Sequence, residues 1–288
     1  LPSIISEFVS NSYDADATRV EVTIDEDSRI SPKRTNIIIK DNGTGIASTA
    51  SNYIKEINNN FLNIGRKRRK EENNSRSKIF NRKLQGKKGI GKLAGFGITN
   101  EMKITTTTNK ITNSFILNYE DMINTEGDTY FPKVIQDNEQ TNFDDGTIIE
   151  LLNIRRKKDI VLKDLSENIA KRLQVFDDNF SLELIHIFNG LKIDSILLTN
   201  DNYLEYIKEK SKIQFCWNIP EDLNKLNLES ETIDYFEKYD INGKIFTTDT
   251  PLKKDDQGIV LYANKKLCQE NYCFNDRAND NFYNYLIG

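Results

Sequence analysis

The sequence predicts an α/β protein in which a mixed sheet is covered by helices. Ile4, Ile5 and Phe8 recur at the spacing of an amphipathic helix that packs against a sheet. Arg19–Asp25 then alternates polar and apolar residues, as a half-buried strand does. Because helix and strand patterns follow each other closely, both are expected in one layered domain. Further strands are predicted at Asn36–Lys40, 101–108, 114–120 and 146–154.

A second, smaller α/β domain is predicted after a basic stretch at Asn153–Asp159. The residues that follow this stretch have a helical period, and two apolar strand patterns then flank Asn189–Gly190. An Asn-Gly pair between two strands is typical of a two-residue hairpin turn. Strand patterns also occur within 238–249 and 257–268. We therefore expect one domain at 1–155 and another at 156–288, truncated at its C-terminus.

Composition narrows the class of protein. The chain has 288 residues, of which 37% are hydrophobic and 29% are charged, so we expect a soluble globular protein. No apolar run is long enough for a membrane span, and no signal-peptide pattern is present, so we expect a cytoplasmic protein without membrane contact. Because a helix pattern begins directly at Leu1, we expect a fragment of a longer protein.

Two residue types exclude common kinds of active site. The three cysteines form no CxxC pair, which argues against a disulfide framework and a zinc site. His186, the one histidine, lies in an apolar strand pattern. A Ser-His-Asp enzyme or a histidine-bound metal is therefore not expected.

The net charge of −4 conceals a strongly basic segment. Twelve Lys and Arg residues but only two Glu residues lie between Gly65 and Lys92, which gives this segment a charge of +10. The segment lacks an apolar period and is predicted to be a mobile loop. Such a loop is either simply solvated or binds a polyanion, which would be a nucleoside triphosphate or nucleic acid.

The first helix carries polar residues along one line. Glu7, Asn11 and Asp14 are spaced by four and three positions, so they project within roughly 60° of one another. A solvated stripe is the simplest interpretation of this pattern. The same oxygen-rich set also suits a hard cation such as Mg²⁺, and a glutamate beside that cation can act as a general base on water.

Two glycine-rich segments could approach a nucleotide closely. The first, "DNGTGI" at Asp41–Ile46, follows a predicted strand. The second, "GKKGIGK" at Gly86–Lys92, leads into a helix expected to begin near Ile90, and such a loop binds phosphate through main-chain N–H groups. It is not a P-loop, because Leu93 stands where Ser or Thr is required.

The order and spacing of these motifs resemble the GHKL ATPase family. The family includes gyrase B-type topoisomerases, ninety-kilodalton heat-shock chaperones, histidine kinases, MutL and a MORC-like branch. The resemblance implies a Bergerat-type ATP-binding sandwich over 1–155, with a mobile ATP lid at about 47–91, followed by a transducer-like α/β domain. The matching motifs are Glu7-x3-Asn11-x2-Asp14, Asp41-x-Gly43-x-Gly45, Gly89-x-Gly91 and Gly146-Thr147.

The resemblance implies a role for each matching residue. Glu7 would activate water, and Asn11 would bind the Mg²⁺ that bridges the phosphates. Asp14 would support the helix face and form a hydrogen bond into the pocket. Asp41 would accept a hydrogen bond from the adenine amine, and Thr147 would hold a water beside it. Close approach of base, ribose and phosphates would involve Gly43, Gly45, Ile46, Gly89, Ile90, Gly91 and Lys92.

The resemblance also implies an activity. A histidine kinase is disfavoured because these proteins usually lack a base at the position of Glu7. We expect an Mg²⁺-dependent ATP hydrolase whose lid closes and whose protomers dimerise on binding ATP, in a larger switch or clamp that acts in DNA transactions or phage defence. The alternatives are a nucleotide-sensing module with negligible turnover and direct nucleic-acid binding by the basic lid.

A lysine from the second domain would contact the terminal phosphate in this family. The sequence offers four candidates, and the first two are favoured because their segment has the composition of a loop. The candidates are Lys253, Lys254, Lys265 and Lys266.

Overall fold

The computed structural model describes residues 1–30, 32–46, 76–86, 91–125, 130–155, 159–253 and 256–272. These residues form two compact units. The first unit comprises Leu1–Asn202 together with Asn264–Lys266, and the second comprises Tyr203–Ala263 and the residues from Leu267 onward. The domain boundary expected near Asn153–Asp159 therefore lies inside the first unit.

The first unit contains one sheet of eight strands. The strands are β1 (Arg19–Asp27), β2 (Arg34–Asp41), β3 (Glu101–Thr108), β4 (Ile111–Asn118), β5 (Lys133–Gln140), β6 (Gly146–Leu152), β7 (Ser181–Phe188) and β8 (Leu191–Leu198). Their order across the sheet is β5-β4-β3-β6-β2-β1-β7-β8. Only β1 and β7 run parallel, so the predicted mixed sheet of a Bergerat-type α/β fold is confirmed. Because β7 and β8 extend this sheet, the first unit continues past residue 155.

Helices cover the apolar face of the sheet. They are α1 (Pro2–Asp14), a 3-10 helix (Gly91–Gly97) and α3 (Leu162–Arg172), while a further helix, α2 (Tyr119–Asn124), has no buried residue. Every second residue of β1 is buried, and these residues join the side chains of α1 and α3 in one core. Ile5, Phe8 and Val9 of α1 are completely or almost completely buried in it. The amphipathic pattern read from the sequence is thus the pattern by which α1 packs.

Two-residue turns set the register of the hairpins in the sheet. Asn189 and Gly190 both have positive φ, as the predicted Asn-Gly hairpin requires. Asn109 and Lys110 form the same kind of turn between β3 and β4. The strand predicted at 114–120 begins earlier and ends at Asn118, because the Asn118 side chain accepts hydrogen bonds from the first N–H groups of α2.

The second unit is built from shorter elements. They are α4 (Asn202–Lys210), β9 (Ile213–Ile219), a 3-10 turn (Leu223–Leu226), α5 (Ser230–Lys238), β10 (Gly243–Thr248), β11 (Ile259–Ala263) and β12 (Lys266–Tyr272). β9 pairs with β10, and β11 pairs with β12. The strand pattern at 257–268 is therefore two strands joined by a turn at Asn264–Lys265. No helix in the described ranges is long and apolar enough to cross a membrane.

The basic segment was predicted to be a mobile loop, and its residues 76–86 make buried contacts with the rest of the first unit. Arg82 is only 8% exposed and lies within 4.6 Å of the ring centres of Tyr13 and Phe80. Its guanidinium donates to the carbonyls of Ala17 and Asn179 at 2.6 and 2.8 Å. Hydrophobic periodicity does not reveal this buried contact, because the side chain that packs is charged.

We predict that Gly95→Ala destabilises the fold while Gly97→Ala does not. A Cβ at Gly95 would overlap the buried side chains of Met102 and Leu151, whereas one at Gly97 would make an ordinary contact with Ile4. Overpacking of this kind costs about 1–3 kcal/mol. Urea denaturation of both variants measures the change in free energy of unfolding. Equal stability of the two variants would contradict this packing.

Candidate active site

The helix-covered face of the sheet turns from apolar to polar at one end. Ile39 of β2 pairs with Ile149 of β6, and Ile149 pairs with Ile104 of β3. Two residues further along, the aligned residues are Asp41, Thr147 and Thr106. The polar row lies on the same face because strand side chains repeat every two residues.

Asp41 is the acid of this row, and its carboxylate accepts hydrogen bonds from three directions. Ser12 Oγ of α1 donates to Oδ2 at 2.7 Å, while Gly43 N and Thr147 N donate to Oδ1 at 2.9 and 3.1 Å. Burial raises the pKa of Asp41 above its usual value, and these three hydrogen bonds oppose the shift. The carboxylate thereby joins α1, the loop after β2 and the start of β6. Ser12 was not among the predicted site residues.

The loop after β2 is held in a fixed shape. Gly45 has a φ of +72°, a conformation that favours glycine, and a Cβ there would overlap Thr107 and Thr108. Ile46 N donates to Thr106 Oγ1 at 2.9 Å, and Thr108 Oγ1 donates to the carbonyl of Thr44 at 3.0 Å. The threonines of β3 therefore fix the position of the motif that begins at Asp41.

Gly43 brings the same loop against the end of α1. A Cβ at Gly43 would lie 2.7 Å from the carbonyl oxygen of Ala15, and Thr44 N donates to that oxygen at 2.9 Å. Gly43 therefore permits this loop to approach the end of α1 closely, while the predicted approach of base and ribose to Gly43 stays a prediction.

Glu7 and Asn11 lie on the polar face of α1. The Glu7 side chain is 38% exposed, and a Cβ at Gly91 would lie 2.5 Å from its Oε2, so the 3-10 helix begins directly against this carboxylate. The Asn11 side chain is exposed, and no hydrogen-bond partner for it occurs among the described residues. Both groups are accessible to a ligand.

Asp14 binds main-chain N–H groups of the basic segment. Its Oδ1 accepts from Gln85 N and its Oδ2 from Gly86 N, both at 2.8 Å. The carboxylate therefore holds the main chain immediately before the second glycine-rich segment. Asp14 thus supports this segment, and its predicted hydrogen bond into the nucleotide pocket stays a prediction.

Asp16 holds the same segment a few residues earlier. Its carboxylate accepts from Ile79 N and Phe80 N at 2.9 and 3.1 Å. Burial alone would raise the pKa of Asp16. The two main-chain hydrogen bonds, a further hydrogen bond with Ser77 and the positive charge of Arg82 outweigh burial, so the pKa of Asp16 is lowered. Asp16 and Arg82 were not predicted as site residues, since nothing local in the sequence separates them from surface charges.

Lys266 is the described lysine that lies at Glu7. Its Nζ is 2.8 Å from Glu7 Oε1, and its side chain is 21% exposed. The turn that carries it is fixed to the first unit, because Gln174 N donates to the carbonyl of Lys265 at 2.8 Å and Leu173 pairs with Lys266. Lys265 itself lies 3.5 Å from Asp177.

The remaining predicted site residues differ in burial, and some of them lie outside the described ranges. Lys92 is buried on the 3-10 helix, where the helix was expected. Gly89, Ile90 and Lys254 lie outside the described residues. Lys253, one of the two favoured lysines, is exposed in the second unit.

A family model for histidine kinase-, DNA gyrase B- and HSP90-like ATPases matches residues 1–147. The chain belongs to this family. The resemblance drawn from the four motifs is therefore confirmed, and the polar row, α1 and the loop after β2 all fall inside the matched region of this GHKL protein.

A relative of this GHKL protein has a name that concerns DNA. The chain is 30% identical over 222 residues to a protein of Herpetosiphon aurantiacus that is provisionally named type II restriction enzyme HgiDII. The similarity covers 76% of this chain but only 32% of the relative. The chain thus spans about a third of the length of that relative.

We predict that the stability difference between the wild type and Asp41→Asn depends on pH. The pKa of Asp41 is raised in the folded state, so the folded protein takes up this proton at a higher pH than the unfolded chain does. The wild type should therefore gain free energy of unfolding relative to Asp41→Asn as the pH falls from about 7 to about 4. Urea denaturation across this range tests it, and a constant difference would show that Asp41 is not desolvated.

Proposed function

We propose that this GHKL unit binds ATP with Mg²⁺ and hydrolyses it. One observation carries the proposal. Glu7 is an exposed carboxylate between Gly91 and Lys266, on the same helix that holds Asp41 through Ser12. This arrangement supports a site in which Glu7 acts as the base, Lys266 supplies a positive charge and Asp41 selects the nucleotide.

Asp41 supports selection of adenine. Its Oδ2 accepts a hydrogen bond from Ser12, and a carboxylate oxygen has a second lone pair that could accept from the adenine amine. Guanine presents a carbonyl at that place and would leave two acceptors facing each other. The loop fixed by Gly43 and Gly45 would form the wall against which the base lies.

The donor set fits Mg²⁺ bound together with phosphates. Among the described residues, no group of three His, Cys, Asp or Glu could hold a metal alone. Mg²⁺ normally keeps several waters and binds one or two protein oxygens together with substrate phosphates. The exposed amide of Asn11 can supply one such oxygen. Bound there, the ion would neutralise charge on the phosphates.

The hydrolytic step depends on positioning and charge. Glu7 would orient a water towards the terminal phosphate and accept its proton. Lys266 Nζ lies 2.8 Å from Glu7 Oε1, so among the described lysines it is the one best placed to contact that phosphate. The main-chain N–H groups at Gly91, with Gly89, Ile90 and Lys92, would hold the remaining oxygens.

The wider role is inferred from the relative. Its name, restriction enzyme, supports a role for the longer protein in a DNA transaction such as phage defence, in which ATP closes the lid and brings two protomers together. The basic segment supports nucleic-acid contact in that setting, although the buried Arg82 would not take part. The alternative is a module that senses ATP without turnover.

We expect Asp41→Asn to abolish ATP binding and Glu7→Ala to abolish only hydrolysis. Asp41 selects the base, whereas Glu7 acts on water, so Glu7→Ala should retain ATP affinity within about threefold while turnover falls at least about a hundredfold. ATP binding by calorimetry and phosphate release with Mg²⁺ measure the two effects. A wild type that binds ATP without releasing phosphate would favour the sensing alternative.

Lys266→Met should lower turnover about a hundredfold, the size typical of losing one preorganised group at the phosphate. Lys265→Met is the matched control, because Lys265 is the neighbouring residue but faces Asp177. Steady-state hydrolysis and ADP binding are measured for both variants. ADP lacks the terminal phosphate, so its affinity should be unchanged. Equal turnover of the two variants would exclude Lys266 from the site.

A further inference from the structure

Gln85 connects the anchored basic segment with the turn that carries Lys266. Its main-chain N–H donates to Asp14 Oδ1 at 2.8 Å, so α1 fixes its backbone. Its side-chain Nε2 donates to the carbonyl of Asn264 at 3.0 Å. Asn264 and Lys266 belong to the same turn, and Lys266 reaches back to Glu7 on α1. The contacts therefore form a closed ring that begins and ends on α1.

The side-chain amide of Gln85 is buried, but only part of its hydrogen-bonding capacity is used. Its side chain is buried, with 7% of the residue exposed. Among the described residues, no donor lies within hydrogen-bond distance of its Oε1. A buried amide oxygen without a donor costs free energy, so an apolar side chain of the same length would suit stability better. The one side-chain hydrogen bond that Gln85 makes is directed at the Lys266 turn.

We propose that Gln85 is a positioning residue, which ties the segment before the phosphate loop to the Asn264–Lys266 turn and so holds Lys266 at the reacting phosphate. This inference rests on the proposed function. Gln85 acts through Lys266 and touches neither nucleotide nor water in this role. Because its backbone is held by Asp14, a change in the segment before the phosphate loop would also move Lys266.

The test is Gln85→Met, which keeps the length of the side chain and removes its donor. In the nucleotide-free protein, Gln174 N–H is bonded to the carbonyl of Lys265 and reports whether the turn is docked. We expect its hydrogen exchange to become at least about tenfold faster in Gln85→Met. The melting temperature should be unchanged or higher, because the unpaired oxygen is removed with the donor.

Gln257→Met is the matched control. Gln257 is 8% exposed, and its Nε2 also donates to a main-chain carbonyl, that of Leu252. The substitution therefore also replaces a buried side-chain amide that donates to a main-chain carbonyl, but it does so outside the Asn264–Lys266 turn. Exchange at Gln174 should be unaffected by it.

Kinetics separate positioning from a general loss of structure. Gln85→Met should lower kcat about tenfold with KM for ATP changed less than about twofold, and in a Lys266→Met background it should have almost no further effect. The proposal would be overturned by any one of three results in Gln85→Met. These are unchanged hydrogen exchange at Gln174, unchanged kcat, or a loss of kcat that is equally large in the Lys266→Met background. A wild type without hydrolysis would overturn the proposed function instead, and the exchange experiment would then decide alone whether Gln85 ties down the turn.

Discussion

The site depends on the constraint that α1 must close the core and present polar groups at the same time. Ile5, Phe8 and Val9 are buried to 1% exposure or less, so the rotation of the helix about its axis is fixed by packing. The helical period then determines where Glu7 and Asn11 project. A shift in the packing of α1 would therefore misplace the proposed base and metal ligand together, although neither belongs to the core.

The same helix stabilises the carboxylate of Asp41 at the end of the sheet. Asp41 stands in register with the apolar residues of β2, and its desolvation is costly. Ser12 from the helix and two main-chain N–H groups from the neighbouring loop and strand offset part of that cost. The hydrogen bonds that make the buried carboxylate tolerable also fix the distance between α1 and β2.

Local patterns in the sequence were enough for the family, the mixed sheet and most of the strands. The two strands that flank Asn189–Gly190 were predicted correctly, because a hairpin with this turn leaves little freedom of register. Lys266 was only one of four candidates, since its partner Glu7 is far away in sequence. Lys253 was favoured for its loop composition, whereas Lys266 follows a turn of Asn and Lys between two strands. Long-range pairing of charged groups leaves no period for the sequence to reveal.

The charged residues of the basic segment are not all available to a ligand. Its net charge predicts a polyanion partner. The guanidinium of Arg82, however, contacts main-chain carbonyls and aromatic rings inside the protein. Asp14 and Asp16 bind the same segment through its main chain, so part of its position is set by the C-terminal end of α1. The N-terminal half of that helix holds Lys266 through Glu7. A ligand that drew Lys266 away from Glu7 would thus act on a helix that also holds the residues before the proposed phosphate loop.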